Sequence, residues 1–600
     1  MKFEFPNKGD ITQMNKGEAY GSLNHSYGID FSSEKGRILN SPGAITHLNG
    51  TTTGTFGNQV VSFHICDSRW IGIANNIYRS GTSTQDPTAG WSIDVTASTP
   101  TVTVAEGDGT MFDGNLYVSG IAGAGDIYKY TGSAWSSWWQ GTLAQAALSS
   151  NYFKPLKVGP SGRLYILDDT NKVYNVTTTG TVTKTGNGTL DMSSTGYRFL
   201  CMVMSSNRMW LGGRDLSTGE SVVAEWDMSL NESTVNRYYF PGASGVNNIL
   251  IWNDSPVLML NDGSMRFYDG SKFYEEDNAR LVQTKNGKVY STNYYSTSIL
   301  GPEHLNIHPN GSAVIDDMPH FLMSAIVRNT TPANTIDDDY RVVAGVFCYD
   351  PEIGLYNRFP IETVTGTNGF GTDIKNLGSM GALSAAPSPK TSFIASAMIW
   401  NEQEAYEYPI IFSDDRALTA PARGRFVLNP FYGTAKDLWQ KVEVLSTRLK
   451  DSSDRILLKY RLFKDSNKPF KADVTWLSTT SFRSSNTDFQ YVNVGDFVLG
   501  VYDYGGNCSA HVSAITYSSP NYTITLDEAF LNPASTGAGV VRVDNFRRLA
   551  TISNQQTDYH DISVQNTGGS HTFWLMVELR AAAGSVVELD KIIVTSNDGK

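Results

Sequence analysis

The chain has 600 residues, of which 40% are hydrophobic and 18% charged, and a formal net charge of -12. That balance belongs to a folded protein, its acidity disfavours wrapping of nucleic acid, which needs clustered Lys and Arg, and its length exceeds what one core organises unless a repeat extends the fold. No apolar run reaches the roughly 18 residues of a spanning helix, and MKFEFPNKGD lacks the apolar stretch of a secretory signal, so the expectation is a chain that folds in the cytosol with no membrane span.

In chain order, residues 1–50 are polar and Gly-rich and read as an N-terminal arm or docking segment, with GRILNSPGAI available as a strand that closes a ring. Beyond it one pattern recurs: RWIGIANNIYRSG from Arg69, NLYVSGIAGAGDIYKYTG from Asn115, RLYILDDTNKVYNVTTTG from Arg163, RMWLGGRDLSTGESVVAEWDM from Arg208 and PVLMLNDGSMRFYDGSKF from Pro256. The anchors Trp70, Tyr117, Tyr165, Trp210 and Leu258 are 47, 48, 45 and 48 residues apart, and KVYST places Tyr290 as a further anchor 32 residues on. Each anchor sits in a short apolar run, followed by turn residues and a second run, with further apolar runs on either side, which makes four strands per repeat. Such a sheet is apolar on both faces and is stable only when stacked on others.

The expected fold class is therefore all-β, a seven- or eight-bladed β-propeller over residues 51–418, with the Pro-rich segment Gly301 to Phe321 read as an insertion between blades. From residue 425 to 600 the pattern changes. LWQKVEVLSTRLKDSSDRILLKYRLF and HTFWLMVELRAAAGSVVELDKIIVTS each read as two long strands around a turn, which predicts a C-terminal β-sandwich, jelly-roll-like, although AKDLWQKVEVL could begin as a helix. The frequent turn signals over residues 485–548 suggest a small inserted β-barrel.

Chemistry-bearing motifs are sparse. Cys66, Cys201, Cys348 and Cys508 form no CxxC pair, so reduced thiols are expected. His304 and His308, beside Glu303, have helical metal-ligand spacing, but the flanking prolines leave no room for a helix and no third ligand is evident, so a solvated loop is preferred. Asp337, Asp338 and Asp339 lack the alternating spacing of a calcium loop and read as a hairpin tip. The sialidase aspartate box, the G-x-S-x-G elbow and the phosphate-binding loop are all absent. No catalytic residue, metal or cofactor is assigned, and the chain is expected not to be an enzyme. Trp135, Trp138 and Trp139 could stack on sugar rings, but they fall where an outer strand is due, and packing between blades is the preferred reading.

The order of parts, with GIDFSSEKGRILNSPGAI in the arm, LYV…IYKYTG blades and a C-terminal unit opening LWQKVEVLSTRLKDSSDRILLKYRLF, resembles bacteriophage tail structural proteins, including propeller-bearing nozzle and hub components. The resemblance implies a virion protein of the tail, assembled in the host cytoplasm as a homo-oligomeric ring around the DNA channel. Its partners would be copies of itself, other tail or connector proteins, and genomic DNA that passes without sequence-specific contact. The alternative is a carbohydrate-binding receptor protein at the tail tip, or a glycan-degrading enzyme there, with a host surface glycan as partner; a cellular scaffold for protein partners is a third reading.

Overall fold

The computed structural model describes residues 2–5, 23–31, 37–41, 44–49, 59–74, 77–81, 91–94, 99–100, 107–120, 127–139, 153–159, 162–168, 170–177, 182–183, 189–205, 207–228, 235–243, 245–276, 279, 289–290, 306–328, 340–351, 354–361, 380–386, 388, 390–401, 406–419, 421–428, 431–432, 438–462, 470–500, 509–529, 537–553, 557–564 and 572–597. Apart from a short 3-10 helix at Thr487–Tyr491, its regular structure among these residues is all strand. Among the described residues no helix is long and apolar enough to cross a membrane.

Seven antiparallel sheets of four or five strands follow one another along the chain. Sheet one comprises Ser62–Cys66, Arg69–Ile73, Ile77–Arg79 and Ser92–Ile93. Sheet two comprises Gly109–Phe112, Asn115–Val118, Ile127–Tyr130 and Trp135–Trp139. Sheet three starts at Leu156–Gly159 and Arg163–Leu167, sheet four at Tyr197–Ser205 and Arg208–Asp215, and sheet five at Val246–Trp252 and Ser255–Leu260. Sheet six is Asn306–Ile315, Met318–Arg328, Tyr340–Asp350 and Gly354–Pro360; sheet seven is Met380–Ala385, Phe393–Asn401 and Tyr406–Asp414, completed by Ala44–Asn49 from the N-terminal segment.

Turn chemistry fixes the first hairpin in four of the sheets. Two-residue loops with positive φ at both residues join the first and second strands at Asp67-Ser68, Asp113-Gly114, Asn253-Asp254 and Asp316-Asp317. This is the mirror-image turn whose twist matches paired strands and which Asn, Asp and Gly tolerate. Farther out, Asp215, Asp262 and Asp269 each accept the N–H and the hydroxyl of the Ser two residues on, closing tight local turns.

Both faces of each sheet are apolar, and each is covered by a neighbour. Ile71 packs with Val118 between sheets one and two, Tyr117 with Ile166 between two and three, and Tyr165 with Trp226 between three and four. Trp210 meets Leu258 between four and five, Met259 meets Phe321 between five and six, Phe359 meets Phe393 between six and seven, and Ile394 meets Trp70 between seven and one. The first strands of successive sheets touch in the same order, and that of sheet seven touches that of sheet one. The arrangement is of the β-propeller type.

Two expectations for this region are corrected. The segment Gly301 to Phe321 is no insertion: Asn306–Ile315 is the first strand of sheet six. Val289–Tyr290 is not a second strand either, because it pairs with Ile326 and Val327 at the far end of sheet six, so Tyr290 is not equivalent to the other anchors. Pro309 and Gly311 read as loop residues, yet a bulge accommodates both inside a strand.

The C-terminal part holds two sheets that share one core. One runs Ile29–Asp30, Ile38–Asn40, Glu588–Asn597, Leu438–Ser446 and Tyr559–Ser563, with Lys2–Phe5 also paired to Glu588–Asn597. The other runs Leu23–Tyr27, Ala422–Leu428, Thr572–Ala581, Arg455–Leu462 and Gly537–Ile552. Trp439, Val442 and Ile592 of the first face Phe426, Leu458, Phe573 and Val577 of the second. The two long strands of each sequence pair thus lie in opposite sheets, 438–446 against 455–462 and 572–581 against 588–597. Leu438–Ser446 is a strand throughout. Gly537–Ile552 continues into a circuit of pairings through Phe470–Ser478, Ser481–Ser484, Asn521–Leu526, Ser509–Ser518 and Asp496–Gly500 and back to itself, around a core of its own that includes Trp476, Phe482, Phe489 and Val541. This circuit begins at Phe470, earlier than the sequence suggested. Residues 1–50 supply strands to sheet seven and to both C-terminal sheets.

Trp210 tests the inter-sheet packing. Its ring is 2% exposed and meets Tyr268 and Phe273 edge-on at 4.9 and 5.8 Å. Trp210→Ala is expected to cost about 3–5 kcal/mol in a urea unfolding titration; a loss below about 1 kcal/mol would show that the interface does not carry the sheets.

Candidate functional site

A buried cluster of perturbed titratable groups lies where the first strands of the sheets converge. A bulge in sheet six sets it up: between the pairs Ile307↔Met323 and Ser312↔Phe321, residues 308–311 oppose Leu322 alone. A Cβ on Gly311 would sit 2.9 Å from the carbonyl oxygen and 3.2 Å from the nitrogen of His308, so the bulge closes only on a residue without one. From this bulge the Asn310 amide donates to Val61 O at 3.0 Å and to Asp108 Oδ1 at 2.7 Å, while its oxygen accepts from Lys157 Nζ at 3.2 Å. On the opposite side Asn248 Nδ2 donates to the carbonyls of His308 and Pro309 at 3.0 and 2.9 Å.

Asp108 is fully buried, and its carboxylate accepts from Gly109 N–H, from Leu156 N–H at 2.9 Å and from Lys157 Nζ at 2.9 Å. Burial alone would raise its pKa, but the Lys157 ammonium and the Leu156 N–H hold it below the ordinary carboxylate value. Ser62 Oγ accepts the Gly109 N–H at 3.3 Å and shares a hydrogen bond with His64 Nε2 at 2.5 Å. The backbone N–H of Asn310 donates to His308 Nδ1 at 3.0 Å, which puts the His308 proton on Nε2. Burial lowers His64 to about 4 and His308 to about 3, so both are neutral at pH 7. A Cβ on Gly109 would come within 2.6 Å of His64 Nε2, so the strand carrying Asp108 approaches only through glycine.

Ser62 and His64 have the contact of a nucleophile and base, but Ser62 is 3% exposed, and among the described residues no carboxylate bonds to His64 Nδ1. That is not the geometry of an acyl-transfer triad. The Asp108 and Lys157 charges balance and each is hydrogen-bonded to Asn310, although among the described residues His308 Nε2 and Asn248 Oδ1 are buried without a partner, and the chemistry of the arrangement is that of a clamp.

Two further buried ionic clusters join other parts. Arg358 of sheet six donates to Asp30 Oδ2 at 2.9 Å and to His320 Nε2 at 3.0 Å, while His320 Nδ1 donates to Met318 O at 2.9 Å. Burial, then the Arg358 charge, lowers His320 to about 3. Asp316 bridges Arg358 to Arg416, so this cluster ties the N-terminal strands, sheet six and the segment after sheet seven together. In the C-terminal part Lys459 Nζ lies 2.5 Å from Glu578 Oε2 and 3.5 Å from the centre of the Phe497 ring, and Arg580 Nε reaches Glu578 Oε1 at 2.5 Å. Burial lowers Lys459 to about 8, the direction that activates a lysine nucleophile, but its side chain is wholly inaccessible and ion-paired.

The residues singled out from sequence fall elsewhere. Trp135 is 2% exposed between sheets one and two, stacks on Tyr130 at 4.7 Å and donates from Nε1 to Asp94 at 2.8 Å, so it presents no face to a sugar. Trp138 packs edge-on against Tyr117 at 4.6 Å; the Trp139 backbone ends the strand and its side chain is outside the described residues. Tyr117, Tyr165 and Trp210 occupy equivalent places, each on a second strand facing the next sheet, whereas Trp70 and Leu258 face the preceding one. His308 is in the bulge; Glu303, His304, Asp337, Asp338, Asp339 and Cys508 lie outside the described residues. Cys66, Cys201 and Cys348 are buried and free, and among the described residues no group of three or more His, Cys, Asp or Glu could hold a metal. His64, Asp108, Lys157 and Asn310 were missed. Their only signal is a polar residue at the start of a first strand, 46 residues from Ser62 to Asp108 and 49 from Asp108 to Lys157.

No family model and no curated protein matches the sequence. Among solved structures the chain is similar to BBS1N in complex with ARL6DN, at 10% identity over 63% of this chain and 98% of that one, with a TM-score of 0.34. It is similar to the WD40 β-propeller domain of Doa1 at 9% identity, over 62% and 98%, with a TM-score of 0.33. The computationally designed Ika8 protein matches at 10% identity, over 65% and 97%, with a TM-score of 0.27. The strand pairings and inter-sheet cores, not these distant likenesses, carry the propeller-type fold.

Two outcomes test the clamp. Asp108→Ala removes the carboxylate that accepts from the Leu156 N–H, the Asn310 amide and the partly buried Lys157 ammonium, and is expected to cost about 3 kcal/mol or more in denaturant unfolding. The second concerns pH. An unfolded histidine takes up a proton near 6.5, whereas folded His64 does so only near 4. Between those values the unfolded state binds more protons, so stability is complete above pH 6.5 and falls as the pH drops. The slope is about 1.4 kcal/mol per pH unit for each such histidine; Asp108 adds a loss of the same sign only below its ordinary value of 3.8. Stability between pH 6.5 and 4 should therefore fall less steeply in His64→Gln than in wild type, by one histidine's share, with His308 and His320 still contributing theirs.

Proposed function

We propose that the seven sheets close into a seven-bladed β-propeller, that the C-terminal sheets form a jelly-roll-like β-sandwich carrying a small β-barrel, and that the whole is a non-enzymatic building block of a bacteriophage tail. In this reading identical copies form a ring around the DNA channel as a nozzle, hub or ring component, bound to other tail or connector proteins.

The observation that carries the building-block reading is the unbroken run of apolar cores from sheet one through sheet seven and back to sheet one. A body covered on every blade face is stiff, and stiffness is what a channel component needs. The placement in a tail rests on the sequence resemblance, and the net charge of -12 suits a wall past which DNA slides without being held. The described polar clusters support no reaction, since their nucleophile-like groups Ser62 and Lys459 are sealed in and hydrogen-bonded. The carbohydrate-receptor alternative loses its strongest candidate with Trp135 consumed inside a blade interface.

Native mass spectrometry of the purified chain, and mass spectrometry of the phage particles whose genome encodes it, test the proposal together. A discrete closed oligomer and presence in the tail are expected. A chain that stays monomeric at every concentration and is missing from the particles would remove it.

A further inference from the structure

We propose that the His308–Gly311 bulge is the keystone of the ring, a four-residue segment of sheet six that crosses the axis and locks the first strands of sheets one, two, three and five from within. The argument begins with position. Sheet six packs against sheets five and seven, so a side chain of sheet six can reach Val61 of sheet one, Asp108 of sheet two and Lys157 of sheet three only by spanning the centre. These partners are 249, 202 and 153 residues away in sequence, and Asn248, which holds the bulge from sheet five, is 60 away.

The chemistry of Asn310 suits the task. A side-chain amide offers two donors and an acceptor on one short stem, and here each is used on a different sheet: the N–H groups on Val61 O and Asp108, the oxygen on Lys157. An aspartate at this position would repel Asp108. The two ends of the bulge are fixed as well, by Asn248 on the carbonyls of His308 and Pro309 and by the Asn310 N–H on His308 Nδ1. The Phe153 ring meets the His308 ring edge-on at 4.6 Å, adding an apolar contact from the approach to sheet three.

Two consequences follow. The axis at this level is filled by protein, so no nucleic acid strand or partner loop threads it while the bulge is seated. The bulge also docks last: it needs sheets one, two, three and five already in place, and contacts of such long sequence separation form late in folding. Interactions absent from the folding transition state act on the unfolding rate. The keystone is therefore a device for kinetic persistence, and this inference stands whether or not the chain belongs to a phage tail.

Native-state hydrogen exchange on the wild-type full-length chain tests the lock. The amides of Asn310, Gly109 and Leu156 are expected to open together as one unit; Asn310 exchanging at loop-like rates while Gly109 and Leu156 stay protected would overturn the proposal. In Asn310→Ala, faster exchange is expected at Gly109 and Leu156, in sheets two and three, and unfolding in a denaturant jump should be about tenfold faster or more with the refolding rate little changed. Changes confined to residues 306–315, or an unfolding rate equal to wild type, would overturn it. If that variant does not fold, the wild-type exchange pattern alone decides.

Discussion

A short antiparallel sheet that is apolar on both faces must be covered on both faces, and everything else in this chain follows from how that is done. Stacking two such sheets leaves two outer faces bare, and each added sheet only moves the problem outward. Returning the stack to its start removes it, and Ile394 of sheet seven against Trp70 of sheet one is where this happens. Each large apolar side chain so buried contributes about 1.5–3 kcal/mol, spread over seven interfaces rather than one central core. The mirror-image turns keep the first hairpins of sheets one, two, five and six tight, with a twist that matches paired strands.

Three buried ionic clusters lie where sheets meet something other than a sheet face. The axis is one, and there Asp108, Lys157 and Asn310 satisfy one another. The contact between sheet six and the N-terminal strands is another, held by Arg358 and Asp30, which are 328 residues apart. The third is where a C-terminal sheet meets the strand circuit: Lys459 and Glu578 pair within the sheet, Lys459 lies over the Phe497 ring of the circuit, and Arg580 pairs with Glu528 beyond it. Buried ion pairs add little net stability over well-packed apolar groups, but they penalise every arrangement in which a partner is missing. Their placement at these three junctions, with apolar packing between blades, divides the work: burial supplies the stability and paired charges fix which parts meet.

This division decides what could be read from sequence. The spacing of 45 to 48 residues between Trp70, Tyr117, Tyr165, Trp210 and Leu258 is a direct imprint of one sheet per repeat, so the first five sheets and the all-β class were legible. Sheet six was legible only in part, through SAIVR and YRVVAGVFCYD of its second and third strands, because a first strand with Pro309 and Gly311 inside it looks like a loop until the bulge that holds them is known. The fourth strand of sheet seven comes from residues 44–49, which no local pattern links to Tyr406–Asp414. The long C-terminal strands were visible, but a turn between two strands reads the same whether the chain folds back within a sheet or crosses to the opposite one. The axial clamp was hidden for a similar reason. A lone Asp or Lys at a strand start looks like a turn residue, and only ring closure brings Ser62, Asp108, Lys157 and Asn310 within hydrogen-bond reach.

Weaving also explains how the two C-terminal sheets and the ring of blades depend on each other. Ala44–Asn49 completes sheet seven, Leu23–Tyr27 pairs with Ala422–Leu428, and Lys2–Phe5 pairs with Glu588–Asn597. Strands from the first fifty residues are thus held by partners that lie roughly 360 to 590 residues later in the chain, and Asp30 adds the buried ion pair to sheet six between them. Opening the seventh sheet at this seam means unpairing a strand whose continuation is anchored in the C-terminal core through Ile29 and Ile38. The weakest point of a closed ring is the place where its two ends meet. Here that point is bound to a second core, so strain applied to the ring is shared with the C-terminal sheets rather than concentrated at one hydrogen-bonded edge.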